Sequence, residues 1–159
     1  MPEKEFSFRY DVCAVSDLSA EEKHLLQAAA DALRTAYAPY SNFRVGAAAL
    51  LSNGQIVSGS NQENASFPAG LCAEGTALSA AASLHPHVPI QKLAIRAQSP
   101  KKVVEQPVAP CGICRQKLLE HETRYRNNIE IILMGETGPV YRIRSAKDLL
   151  PLSFTGNVL

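Results

Sequence analysis

A thiol and a carboxylate stand two residues apart in the stretch NASFPAGLCAEGTALSAAASL, where Cys72 and Glu74 mark the change from a loop to an alanine-rich helix. An apolar helix gains nothing from either group, so the pair needs a chemical reason. A second pair of thiols lies downstream in PCGIC, Pro110 to Cys114, again where a helix is expected to start. Alone, this C-x-x-C reads as half a zinc site, a redox pair or chance. Redox pairs usually sit early in a chain, after the first strand of a βαβ unit, and this one is late. Cys72 shifts the balance. Two helix N-termini that face one another would bring Cys72, Cys111 and Cys114 together. Each sulfur would then lie near the positive end of a helix dipole, which lowers thiol pKa and favours the ligand form. Three protein ligands leave a fourth tetrahedral position for water, as catalytic zinc sites do and closed structural sites do not. Glu74, two residues from a ligand, can reach that position without filling it. There a carboxylate can take a proton from activated water and hand it to a substrate nitrogen. In isolation Glu74 would be a solvated first-turn acid favoured by the dipole. Beside Cys72 and PCGIC, general acid–base chemistry is the better reading.

The elements that must position these groups follow from periodicity. Residues 1–18 are mixed in pattern and read as an N-terminal arm, with FSFRYDVCAV a candidate edge strand. Ser19-Ala20-Glu21-Glu22 has capping-box form. Leu25, Leu26, Ala29, Leu33 and Ala36 follow at helical spacing, so a first helix is expected over about 19–37. Two strand-like runs flank Asn53-Gly54, a strong hairpin signal. A second helix is expected over about 72–84, a strand at IQKLAIRAQ, and a third helix from near Cys111 to about His121. NIEIILM reads as a strand, and GETGPVYRIR turns into a short last one. Ser145 is a candidate cap for a short helix ending before Pro151. The order is α-β-β-α-β-α-β-β, which implies one mixed sheet with helices on both faces.

The gross balance bounds the classes of function. The chain has 159 residues, which suits one domain. Hydrophobic residues make up 46% and charged residues 19%, the balance of a globular protein. A formal net charge of +1, with Lys and Arg scattered, offers no electrostatic footprint for nucleic acid or for an anionic membrane. No apolar run approaches the roughly 20 residues that a bilayer needs. With no signal peptide evident, the four cysteines point to metal binding or catalysis rather than disulfides, and the expected location is cytoplasmic.

Zinc-dependent deaminases carry His or Cys, any residue, then Glu, followed by P-C-x-x-C, with the Glu a general acid/base rather than a ligand. CAE and PCGIC match this in the all-cysteine form. Together with YSNFRVGAAAL, NQENASFPAGLCAE, APCGICRQ and DLLPLSF, they make the chain resemble the small homotetrameric cytidine deaminases over about 24–156. The resemblance implies a three-layer α/β/α fold with a mixed five-stranded sheet, carried by residues 19–159 behind the arm. It implies one Zn²⁺ per subunit on Cys72, Cys111 and Cys114, with Glu74 as the proton shuttle. It further implies that Asn61 and Glu63 bind the ribose hydroxyls and that Phe43 lines the base pocket. The backbone at Ala73 would help recognise the pyrimidine, and Phe154 would reach a neighbouring subunit's base. The activity implied is hydrolysis of cytidine and 2′-deoxycytidine to uridine and 2′-deoxyuridine with loss of ammonia, a step of pyrimidine salvage.

Each assignment has a plainer rival. Phe43 and Phe154 could be core residues, and Asn61 and Glu63 a solvated loop. Cys13 matches no motif and reads as a small buried hydrophobe. His85 and His87, in HPHVP, read as surface-loop residues. Arg115 and Gln116 are candidate donors around the ligands. Two departures stand out. Gly75 occupies the place after the acid where the family usually has Arg, which can donate to the thiolates. Phe67 stands where Tyr is frequent. Three thiolates and Zn²⁺ sum to −1, so Arg115 and the helix N-termini carry more of the compensation. The departures leave open a deaminase for a modified nucleoside or another amino-heterocycle. A polynucleotide deaminase is opposed by the missing basic stripe. A structural zinc module would need a fourth protein ligand, for which Cys13 is the one spare cysteine.

Overall fold

The structure, a computed structural model, describes residues 1–156; the last three positions of the expected 19–159 domain lie outside it. Its elements in chain order are β1 (Tyr10–Cys13), α1 (Ala20–Ala32), β2 (Arg44–Leu51), β3 (Ile56–Ser60), α2 (Ala73–Leu84), β4 (Ile90–Gln98), α3 (Gly112–Tyr125), β5 (Glu130–Met134) and β6 (Val140–Ile143). They form an α/β fold around one mixed sheet with strand order β1-β6-β5-β4-β2-β3.

The sheet has six strands, not the expected five. The extra one comes from the arm: β1 pairs antiparallel with β6, Tyr10 opposite Ile143 and Cys13 opposite Val140. Tyr10 packs on Tyr141 with ring centroids 5.1 Å apart. Arg142 reaches Asp11 at 3.6 Å across the same pair. Cross-strand aromatic and opposite-charge pairs of this kind hold a strand whose own side chains are mostly exposed.

Alternate residues of β2 serve opposite faces of the sheet. Ala48 and Leu50 pack with Leu25, Leu26 and Ala29 of α1. Ala47, Ala49 and Leu51 pack with Ala73, Ala77 and Leu78 of α2 and Leu118 of α3. One helix therefore covers one face and two cover the other. Leu25, Leu78 and Leu118 are each at most 1% exposed, and full burial of such a side chain stabilises by about 1.5–3 kcal/mol.

Local signals behave as their chemistry requires. The Ser19 hydroxyl accepts from the Glu22 amide at 3.2 Å, and the Ser19 amide donates to the Glu22 carboxylate at 2.8 Å. α1 ends at Ala32 rather than near 37 and tightens into a 3₁₀ turn over Leu33–Thr35. Gly54 takes φ +82° in the hairpin turn. α3 runs past His121 to Tyr125 and closes on Arg126 in the left-handed region. Ser145 precedes a short 3₁₀ helix, Ala146–Leu149, but its hydroxyl donates instead to the buried Glu122 carboxylate at 2.8 Å. That carboxylate also accepts from the amides of Ile129 at 2.7 Å and Ala146 at 2.8 Å. The end of α3, the start of β5 and the tail are thus tied to one group.

Topology sets where the helices begin. β2 is antiparallel to both β3 and β4, so β3 and β4 run the same way, and β5 is parallel to β4. The β3–α2–β4 and β4–α3–β5 segments are therefore crossovers between like-directed strands, and such crossovers share one hand. That places α2 and α3 on the same face. Both N-termini emerge at the C-terminal ends of strands, where α/β sheets place their ligand sites. Gly59 sets the closeness of α2: a Cβ there would stand 2.4 Å from the Ala77 amide nitrogen and 2.7 Å from the Ala73 carbonyl oxygen.

Candidate active site

Cys72 is the N-cap of α2 and Cys111 the N-cap of α3. Both occupy the position where Ser, Thr, Asp or Asn would normally close a helix, and neither makes a side-chain cap bond. Cys114 lies one turn into α3 and is 1% exposed. The three Sγ atoms lie within 4.8 Å of one another, and Cys72 and Cys111 are 3.7 Å apart. A tetrahedral site with Zn–S bonds of about 2.3 Å needs sulfurs about 3.8 Å apart, so the donor set fits the ion in chemistry and in size. Among the described residues this is the one cluster of metal-ligating side chains found. Cys13 packs against the apolar cluster on the α1 side of the sheet. His85 and His87 follow α2 at its far end, 12 residues or about 18 Å along the axis. Among the described residues no fourth metal-ligating side chain joins the three.

The thiols differ. Burial pushes the Cys114 thiol well above the ordinary range, and the neighbouring Glu74 carboxylate adds to it. Burial raises Cys72 as well, with the Cys111 thiol next to it. Burial also acts to raise Cys111, but the Cys114 amide and the adjoining sulfurs outweigh it and hold that thiol low. A bound cation would lower all three, since a coordinated thiol is deprotonated outright.

Glu74 is 5% exposed. Burial raises its carboxyl above the ordinary value against the opposing pull of its own amide, the Cys114 thiol and the Lys117 ammonium. This is the direction in which a proton-transfer group is tuned.

Glu74, Cys72, Ala73 and Cys111 line one wall of a cavity of ≈ 730 Å³. The loops after β3 and β4 supply much of the rest, with Asn61, Glu63 and Phe67 from one and Val108 and Ala109 from the other; Tyr40 and Ser41 ahead of β2, Val45 in β2 and Ile113 in α3 complete it. Asn61 Oδ1 accepts from the Val45 amide at 2.8 Å and its Nδ2 donates to the Phe43 carbonyl at 2.9 Å. Glu63 accepts from the Tyr40 amide at 2.9 Å and from the Ser41 hydroxyl. Both sit at the cavity and both fix the loop ahead of β2. Phe43 is not among the lining residues; Tyr40 and Ile113, which the sequence did not single out, are. Phe67 stands edge-on to Tyr40, ring centroids 5.9 Å apart. Arg115 donates to the carbonyls of Pro110 at 2.8 Å and Leu149 at 2.9 Å, so it orders the turn before Cys111 and the tail. Gln116 donates to the Phe154 carbonyl at 3.0 Å, and the Phe154 side chain stays exposed.

The family profile described as the cytidine and deoxycytidylate deaminase zinc-binding region matches residues 19–126. The chain belongs to that family. It is 36% identical over 135 residues to a cytidine deaminase of Halalkalibacterium halodurans, covering 85% of this chain and 95% of that one. It is 39% identical over 126 residues to the cytidine deaminase of Mycobacterium tuberculosis, covering 79% of this chain and 84% of the relative. Among solved structures it is similar to cytidine deaminase from Burkholderia pseudomallei, with a TM-score of 0.72 at 40% identity over 83% of this chain and 98% of that one. Cytidine deaminase from Mycobacterium tuberculosis gives 0.66 at 36% identity, over 86% and 99%. The three thiols and Glu74 all fall within the residues that this zinc-binding region matches. Among the described residues no helix is long and apolar enough to cross a membrane.

Proposed function

We propose that this chain is a zinc-dependent cytidine deaminase, converting cytidine and 2′-deoxycytidine to the uridines with release of ammonia. The carrying observation is the buried Glu74 carboxyl beside three convergent thiols, at the wall of a cavity of nucleoside size. In this reading Cys72, Cys111 and Cys114 hold one Zn²⁺ per subunit. When bound, the ion supplies the Lewis acidity that brings the pKa of water from about 15.7 to about 7. Glu74 would take one proton from the attacking water and place it on N3 of the pyrimidine, where it stays in the product. Once hydroxide has added at C4, Glu74 would take the proton of the new C4 hydroxyl and give it to the amino group, so that C4=O forms, the C4–N bond breaks and ammonia leaves. The amide face of Ala73, in the first turn of α2, holds the pyrimidine edge. Asn61 and Glu63 bind the ribose hydroxyls with the acceptor and donor capacity that the loop does not use, and Phe43 backs them from the residue just ahead of β2. Arg115 and Gln116 serve by holding the turn and the tail around the ligands.

The catalytic domain is residues 19–159 in an α/β/α arrangement, and the assembly is a cytoplasmic homotetramer with shared sites. What supports the assembly is the apolar rim. Phe67 and Ile113, at the cavity, are 76% and 68% exposed in the single chain, and Phe154, tied to α3 through Gln116, is 61% exposed; a second subunit would cover them. The test of the chemistry is spectrophotometric deamination of cytidine, with zinc measured in the same sample and other amino-heterocycles alongside. Turnover that tracks zinc content is expected; a zinc-loaded protein inert to cytidine would end the reading. For the shared site, Phe154→Ala should lower kcat/KM with zinc and fold retained. A fully active monomer in sedimentation would refute it.

A further inference from the structure

Gly75 stands in the first turn of α2, three residues after Cys72, and is buried. The space where its side chain would be is not empty. A Cβ built there would lie 2.9 Å from Lys117 Nζ, 3.7 Å from its Cδ and 3.8 Å from its Cε, with no other residue among its nearest neighbours. The ammonium of α3 is therefore laid into a gap in α2. Lys117 is three residues after Cys114, so the two share a helix face. Helical side chains lean toward the N-terminus, which carries the ammonium back over the turn that holds Cys114. The same ammonium acts on Glu74 across the gap. Lys117 is not among the residues lining the cavity, and its ammonium lies at Gly75, in the packing of α2 against α3. The guanidinium of Arg115, the other nearby cation, donates to the carbonyls of Pro110 and Leu149.

We propose that Lys117 is the cation that balances the three-thiolate cluster, and that Gly75 is the gap that admits it. Three thiolates and Zn²⁺ carry a net charge of −1 at a partly buried site, where an unbalanced charge is costly. One ammonium near the cluster brings the sum to zero. Lys117 acts through the ligands, as a positioning and charge-balancing residue, and touches no reacting atom. Its consequence is retention of the metal with all three sulfurs deprotonated. The inference rests on the zinc reading of Cys72, Cys111 and Cys114.

The test is zinc affinity, measured by competition with a chromogenic chelator on the full chain, with circular dichroism to confirm folding. Groups supporting metal ligands are typically worth about 10–100-fold in affinity. Lys117→Gln is expected to weaken zinc binding by about 10-fold, and Lys117→Arg to stay within about twofold of the parent. Moving the charge, with Lys117→Ser and Gly75→Lys together, should recover most of the affinity that Lys117→Ser alone loses. A Lys117→Gln protein that holds zinc as tightly as the parent overturns the inference while leaving the zinc site intact. So does a loss that neither Lys117→Arg avoids nor Gly75→Lys repairs. A parent chain that binds no zinc overturns the zinc reading and this inference together.

Discussion

Glu22 and Glu74 are the same residue in the same kind of place. Each lies in the first turn of a helix, and each is 5% exposed. Their carboxyls are shifted in opposite directions. Burial acts to raise Glu22, but the amide and hydroxyl of Ser19, with Lys92 and Arg142, outweigh it and hold it below its ordinary value. Burial of Glu74 prevails and holds it above. Glu22 has a serine cap to reciprocate and two cations in reach, Arg142 at 3.5 Å and Lys92 at 3.9 Å. Glu74 has a cysteine at its cap and a thiol for a neighbour. An acid whose partners complete it stabilises the fold; an acid left short of partners beside an open cavity is available for proton transfer.

The largest effect should separate the two by chemistry. Glu74→Gln removes proton transfer but no ligand, so zinc content should hold while turnover of cytidine falls by about 10²–10⁴-fold. The amide should also leave the zinc-free fold as stable as the parent, or more so, at neutral pH. A carboxyl with a raised pKa favours the fold only below its unfolded value and opposes it once ionised. Near-normal turnover in a zinc-loaded Glu74→Gln protein would dissolve the distinction.

Glu22→Ala should do the reverse. Turnover per folded molecule should be unchanged, and denaturant unfolding should show a loss of about 1–2 kcal/mol from the broken capping box and the charged hydrogen bonds. The sign with pH follows from the depressed carboxyl. Its contribution is fully present above the ordinary Glu value of about 4.3 and is lost as pH falls through the lower folded value. Parent and Glu22→Ala should therefore converge in stability on acidification. A gap that stays constant down to the acid limit would show that the ionised carboxylate is not what stabilises.

The two regions also differ in how far sequence reveals them. Ser19 and Glu22 form their box locally, from residues three apart, so the start of α1 was legible while its end was not. The thiol cluster was legible because both ligand motifs sit at helix starts and like-directed crossovers bring such starts together. β1 falls inside FSFRYDVCAV, a candidate edge strand, yet the expected sheet had five strands and left it out, because its side chains face solvent and its partner, β6, lies about 130 residues on. Glu122 gave no signal, since its donors come from Ile129, Ser145, Ala146 and Lys147, up to 25 residues away. The place of Lys117 is still harder to read. It depends on an absent side chain at Gly75 in another helix, and only the packing of α2 on α3 brings them together.

The smallest effect concerns the caps themselves, where the difference between α1 and α2 can be inverted. Ser19 accepts from the Glu22 amide; Cys72, at the same position of α2, makes no side-chain cap bond. The backbone at Cys72, with φ −76° and ψ 152°, is nonetheless close to that at Ser19, with φ −63° and ψ 164°. A hydroxyl at position 72 could therefore accept from an amide of the first turn that otherwise has no intrahelical partner. Cys72→Ser should stabilise the zinc-free protein by about 0.5–1 kcal/mol, a shift visible in chemical denaturation with a chelator present. The same substitution should abolish tight zinc binding, because a neutral hydroxyl is a poor replacement for a thiolate on Zn²⁺. With zinc in excess the order of stabilities should then reverse, since the ion stabilises only the protein that binds it. A Cys72→Ser protein that is less stable than the parent even without zinc would mean that the sulfur at this cap already contributes to the fold.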